Sequence, residues 1–370
     1  MLCLSMPTIV NRGGWIATCN AFFMMGMTQA CLNPANQNLL SKWIPPNENY
    51  ICSTLVYGGV PLGIILALPL AGIFAEARLG WELIFYSLAM LMLSMATICG
   101  ILTASSPDFH QAVGDAEKEY VREALSFYKK RSVTPPWRSI LKTRQFWALT
   151  SAHAACNAVF IFYLVEIPAY LKCGLHILMA FISMWFIYAT TAPTFDWLSA
   201  YGPMVYVFKV SNFRKLINAF GAFGVVIGLT VLSNLVPDWS NFAIIVLSAT
   251  LGSVGFQFSG FLRSIHDMSE NFSGTLLMMS SSIASVVGAL IPLTTGLIIG
   301  DDTNALKKWR IAFLLLASFC VVCNIVYTVL GSAERQRWDD TRIRHKFGYH
   351  NVSNQFEMDE TRSPKTSQAK

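Results

Sequence analysis

Apolar residues in this chain fall into long runs separated by short polar breaks, and one polar stretch divides the pattern in two. From Pro107 to Arg144 the sequence reads PDFHQAVGDAEKEYVREALSFYKKRSVTPPWRSILKTR, with thirteen charges, eight of them Lys or Arg. Before it come a short apolar start, Met1–Val10, and runs over about Trp15–Pro34, Asn49–Ala75 and Leu83–Thr103. After it come Gln145–Val165, Cys173–Phe195, Leu216–Val236, Phe242–Leu262, Gly274–Ile299 and Ile311–Leu330. Runs of roughly 20 apolar residues match the thickness of a bilayer core. The pattern predicts an all-α polytopic membrane protein with about nine full spans and a partial one.

Composition agrees. Apolar residues make up 54% of the chain and charged residues 13%, against roughly 25% in soluble domains. A large soluble core would need charged outer faces that most of these helices lack. Nine cysteines are scattered through apolar runs. The CxxC of Cys320 and Cys323 sits within FLLLASFCVVCNIVYTVL with no activating group beside it, so it reads as small apolar packing. No nucleotide loop, metal cluster or hydrolytic set stands out, so the sequence predicts no enzyme, no cofactor, no metal site and no nucleic-acid partner.

Charge bias gives an orientation. With the Pro107–Arg144 island in the cytosol, the loops on that side carry 21 Lys and Arg and those on the other side six, the sense of the positive-inside rule. The island and the C-terminal tail are therefore expected inside, and His350 onward reads as disordered. The resulting divisions are 1–106, a front helical part (half of helix three, then helices four to six of the plan described below); 107–144, the central cytosolic loop; 145–331, a six-helix half; and 332–370, the tail.

Six stretches carry a resemblance: NPANQNLLSKWIPPNE (33–48), PLAGIFAEARLGWELIFY (69–86), PPWRSILKTRQFWALTSAHAACN (135–157), FRKLIN (213–218), GFQFSGFLRSIHD (255–267) and SAERQRW (332–338). In that order the chain resembles the major facilitator superfamily, specifically its anion–cation symporters for sodium/phosphate, sialic acid and vesicular glutamate. The resemblance runs from about residue 5 to 338. It implies twelve helices in two pseudo-symmetric halves with substrate near the midplane, and it sets Met1 in the middle of the third helix, so that two and a half helices are expected to be missing. It further implies a small anionic solute, organic or phosphate in the family's range, moved by alternating access with Na⁺ or H⁺ as coupling ion, in the plasma membrane or a vesicle membrane. The alternative is a transport-inactive paralogue that serves as a membrane partner or regulator.

Some positions depart from the family. Phe22 aligns with a fourth-helix arginine of the organic-anion carriers, Gln29 with an acidic residue, and Cys156 with a seventh-helix arginine of the glutamate carriers. Asn157 matches the asparagine of the sialic acid branch. Glutamate specificity is therefore not carried over.

The substrate or ion-pathway candidates are Gln29, His153, Asn157 and Glu166. His153 and Asn157 are four apart and share a helix face, either lining a cavity or bonding a neighbouring helix. Glu166 lies near the outer end of that helix, within reach of Lys172 at the interface. Gln29, Asn33, Asn36 and Gln37 recur at helical spacing, and Gln29 is the member set deepest. Asp196, Arg214 and Lys215 resemble the family's cytosolic gate, where an acid at a helix end pairs with basic residues. The triplet Ser280–Ser282, with its neighbouring glycines, reads as close packing.

Overall fold

The computed structural model describes residues 2–44, 49–127, 135–171, 175–201, 210–235, 240–269, 272–300 and 306–339. Its α-helices are α1 (Leu2–Gln29), α2 (Leu32–Trp43), α3 (Asn49–Ala75), α4 (Glu82–Leu102), α5 (Asp115–Phe127), α6 (Trp137–Lys142), α7 (Arg144–Leu171), α8 (Leu175–Tyr201) and α9 (Val210–Asn234). They continue with α10 (Ser240–Gln257), a π-helical turn at Phe258–Leu262, α11 (Arg263–Met268), α12 (Ser273–Ile299) and α13 (Leu306–Leu330). No strand occurs among the described residues.

Seven described segments are long and apolar enough to cross a bilayer: Gly58–Ala75, Glu82–Leu102, Arg144–Pro168, Val210–Asn234, Phe242–Ile265, Ser273–Ile299 and Leu306–Leu330. In α8 the described apolar stretch is the shorter Met179–Thr191. The expected break between a half-helix and a full span appears as a kink in α1 at Gly14, whose φ of 65° and ψ of −172° are not helical. Such a positive φ strains any residue with a Cβ, and glycine adopts it freely.

Three boundaries differ from the sequence reading. The span drawn over Trp15–Pro34 is divided, since α1 stops at Gln29 and α2 starts at Leu32. The polar run from Gln29 to Gln37 is thus shared between two helices and does not form one continuous face. In the second half, α8 runs past Asp196 to Tyr201, and α9 begins at Val210. Arg214 and Lys215 therefore lie within the first two turns of α9, where a loop was expected. Helix formation wins because FRKLINAF continues the apolar spacing of the span behind it, with Phe213 and Ile217 buried.

The buried core lies mainly in α7–α13, from Ile140 to Tyr327. Its main pairings are α8 with α10, α7 with α12 and α13, and α9 with α10 and α13. Close approaches are made at small residues, as membrane helices require. A Cβ on Gly221 of α9 would lie 2.6 Å from the Ser253 carbonyl oxygen of α10. In the front part few side chains are buried, Met6, Ala21 and Ala89 among them. There α1 lies along α4, where Asn11 Nδ2 donates to Glu82 Oε1 at 2.8 Å. Helix α3 instead packs on α8, and Gly58 faces the ring of Trp185. Within the island, Arg122 joins α5 to the turn at Pro107–Phe109 through Asp108 at 2.9 Å.

Candidate functional site

On helix α7, His153 and Asn157 share the face that meets α12, and Cys156 meets α10. The imidazole Nδ1 of His153 lies 2.7 Å from Ser280 Oγ of α12. One turn further on, Asn157 Nδ2 donates to the Ala284 carbonyl at 2.8 Å. His153 and Ser280 are four residues before Asn157 and Ala284 on their helices, so two helices in register place one polar rung above the other. Gly288 continues the α12 series; a Cβ there would stand 2.6 Å from Asn157 Nδ2.

Between those residues, Cys156 turns inward. It is fully buried and its thiol donates to Gln257 Oε1 at 2.9 Å, at the end of α10. Immediately beyond Gln257 the helix widens into the π turn, a deviation that often occurs at functional sites. Its Phe261 ring stacks on the His153 imidazole at 5.1 Å with 32° between planes. Its Ser259 hydroxyl lies 3.0 Å from Thr191 Oγ1 of α8. Helices α7, α8, α10 and α12 thus converge on a polar seam, in which His153 and Asn157 remain partly exposed while Ser280 and Phe261 are buried.

The other sequence candidates are not gathered there. Gln29 is exposed at the end of α1, a helix whose packing partner is α4. Asn33 and Gln37 have side chains outside the described residues. Glu166 is partly buried near the end of α7, nine residues beyond Asn157, and Lys172, its expected neighbour, lies outside the described residues.

A second polar group occupies the end of the bundle where α9 begins. Arg214 is buried, and its Nε donates to Asp267 Oδ2 of α11 at 3.2 Å. Close by, Ser264 Oγ lies 2.8 Å from Tyr327 OH of α13, and Asn218 Nδ2 donates to Asn324 Oδ1 at 3.0 Å. Lys215 is partly exposed. The backbone of Asp196 is in α8, and its side chain lies outside the described residues. The acid that meets Arg214 is Asp267, which is not among the sequence candidates. In the seam, Ser280, which reads as packing in the sequence, and Phe261, which has no polar signal to draw attention, are further members that the sequence does not single out.

Cys320 and Cys323 are free thiols buried in α13. Among the described residues no group of three or more His, Cys, Asp or Glu is placed to hold a metal ion.

Several apolar spanning helices closed around an internal polar seam define a polytopic helical membrane protein of the transporter type. The Major Facilitator Superfamily model matches residues 1–276, and the chain belongs to that family. A Drosophila ananassae protein provisionally named an inorganic phosphate cotransporter is 28% identical over 347 residues, covering 90% of this chain and 71% of its own length. Human sialin is 26% identical over 323 residues, covering 85% of this chain and 63% of its own. Bovine vesicular glutamate transporter 1 is 25% identical over 332 residues, covering 85% and 57%. These relatives fall in the anion–cation symporter branch that the sequence motifs resemble. The chain spans roughly three-fifths to seven-tenths of their length.

Proposed function

We propose that this protein is a secondary transporter of a small anion, with the α7–α12 seam forming part of the substrate pathway. The observation that carries this reading is the pair of rungs, His153 with Ser280 and Asn157 with Ala284, left partly open on a helix otherwise free of charge from Gln145 to Val165. Polar groups at membrane depth are costly unless paired or wetted, which makes them markers of solute paths. Each rung is an uncharged hydrogen-bonding set that an anion's oxygens can enter by displacing one partner. His153 is the titratable member, able to present a donor to the anion or carry a proton with it. Family membership supports alternating access, one half of the bundle rocking against the other. The names of the relatives support phosphate or a small organic anion as cargo; Na⁺ or H⁺ as the coupling ion is what the resemblance to the symporter branch implies. Arg214 with Asp267 serves as a gate at the α9 end, the role that the family resemblance gives to Asp196, Arg214 and Lys215. Glu166 and Gln29 are peripheral to the path. The charge bias supports an orientation with the island and the C-terminal tail in the cytosol.

The test is uptake into vesicles containing the purified protein. Labelled phosphate, sialic acid, glutamate and urate are offered in turn under imposed Na⁺ or H⁺ gradients. Saturable, gradient-driven uptake of one of them is expected. If correctly inserted protein moves none, the reading as a partner or regulator without transport takes its place.

A further inference from the structure

The segment after the last span, 332–339, contains the motif SAERQRW and has no place in the pathway described above. It is neither apolar nor regularly helical, yet Asp339 at its end is completely buried. A carboxylate is driven to such a position only when its oxygens are satisfied. Asp339 Oδ1 accepts from Ser269 Oγ at 2.6 Å, and Oδ2 accepts from Arg335 Nε at 2.8 Å. The Ser269 Oγ in turn accepts the backbone N–H of Phe272 at 2.9 Å. Phe272 is the residue that precedes the first turn of α12. One residue before Asp339, the Trp338 indole N–H donates to Thr143 Oγ1 at 3.1 Å. Thr143 immediately precedes α7. The Trp338 and Phe272 rings lie 6.3 Å apart. Two backbone bonds complete the attachment: Gln336 N–H to the Met268 carbonyl at 3.1 Å, and Ala333 N–H to Ser211 Oγ of α9 at 3.0 Å.

We infer that residues 332–339 form a latch that fixes the register of α7 against α12, with Trp338 and Asp339 as positioning residues for the His153–Ser280 and Asn157–Ala284 rungs. The consequence for transport rests on the proposed function; the latch itself does not. The geometry is direct. Thr143 is ten residues before His153, and Phe272 eight before Ser280. At 1.5 Å per residue the two anchor points lie about 15 Å and about 12 Å from the first rung. A slide of one helix past the other by a single residue would move a side chain by about 1.5 Å, enough to break a hydrogen bond. The latch holds the starts of both helices through adjacent residues of one short segment. It therefore opposes that slide while touching neither rung.

The test is hydrogen exchange on the full chain in nanodiscs, comparing wild type with Asp339→Ala, Trp338→Phe, Ser269→Ala and Ser269→Thr. Trp338→Phe keeps an aromatic ring against Phe272 while losing the indole N–H and part of the ring, a milder change that keeps the test open if Asp339→Ala proves unstable. Exchange in the first three turns of α12 and of α7 is expected to rise about tenfold or more in the first three variants, with α9 and α13 beyond their first turns unchanged. Ser269→Thr, which keeps the hydroxyl, restores the wild-type pattern. In uptake assays the same variants raise the KM of the transported anion and leave its maximal rate within about twofold. Exchange that does not change, or that rises uniformly in every helix, overturns the latch. If exchange rises as expected and yet uptake is indifferent to His153→Ala, the latch stands and the assignment of the substrate path falls.

Discussion

His153 on α7 and Ser280 on α12 are separated by 127 positions in sequence and by 2.7 Å between Nδ1 and Oγ in the fold. The bond binds two spanning helices and involves the titratable group of the seam, so packing and the proposed solute contact would share the same atoms. A double-mutant cycle of His153→Ala and Ser280→Ala separates the packing part. Interhelical hydrogen bonds in membranes couple by roughly 0.6 to 1.7 kcal/mol. Thermal unfolding in detergent should return a coupling in that range, and strictly additive effects would show that the two groups do not bond.

Gly288 is the floor under Asn157. Its missing side chain leaves room for Asn157 Nδ2, and an added Cβ would also come within 3.3 Å of Ile161 Cγ1. Gly288→Ala should therefore cost about 1–3 kcal/mol through overpacking, read as a lowered unfolding temperature. Combining it with Asn157→Ser, which shortens the obstructing side chain, should recover most of that loss. No recovery would place the clash elsewhere.

Arg214 and Asp267 give an asymmetric prediction. The Arg214 side chain is 4% exposed and that of Asp267 28%, so removing the acid leaves a buried cation, whereas removing both leaves neutral groups. Breaking a fully buried pair costs about 3–5 kcal/mol, and the partial exposure of Asp267 brings the expectation to about 1–3 kcal/mol. Asp267→Asn should destabilise more than the double variant Arg214→Gln/Asp267→Asn. The reverse order would mean that the pair contributes little.

The crossing of α9 and α10 depends on Gly221, where a new Cβ would meet the Ser253 carbonyl oxygen, a backbone atom that cannot rotate aside. Gly221→Ala should force the helices apart and lower the unfolding temperature. Gly274, with nothing within 4 Å of its Cβ position, is the control: Gly274→Ala should be neutral or stabilising. Equal effects at both positions would contradict the packing described.

Much of the architecture was legible because bilayer-length apolar runs and their charged breaks are strong, one-dimensional signals. The kink at Gly14 and the limits of α3, α4 and α12 follow them closely, whereas α13 begins at Leu306, five residues before the apolar run. The interruption at Ala30–Cys31 was not legible, since neither residue breaks a helix by itself. The extension of α8 past Asp196 was hidden for a different reason: a lone charge at the end of a span resembles the start of a loop. Within the site, the shared face of His153 and Asn157 came from their i, i+4 spacing. What those groups face could not, because Ser280 and Ala284 are more than a hundred residues away. Asp267 as the partner of Arg214 and the π turn that carries Phe261 are likewise products of packing, as is the burial of Asp339 in a segment whose composition reads as an exposed tail.

The most direct measurement of the central claim is the initial rate of anion uptake by wild-type protein, Asn157→Ala, Ser280→Ala and His153→Ala, in vesicles matched for inserted protein. With the anion that the wild type transports, a loss of at least about tenfold is expected for His153→Ala and Asn157→Ala and a smaller one for Ser280→Ala. Wild-type rates in all three variants would contradict it.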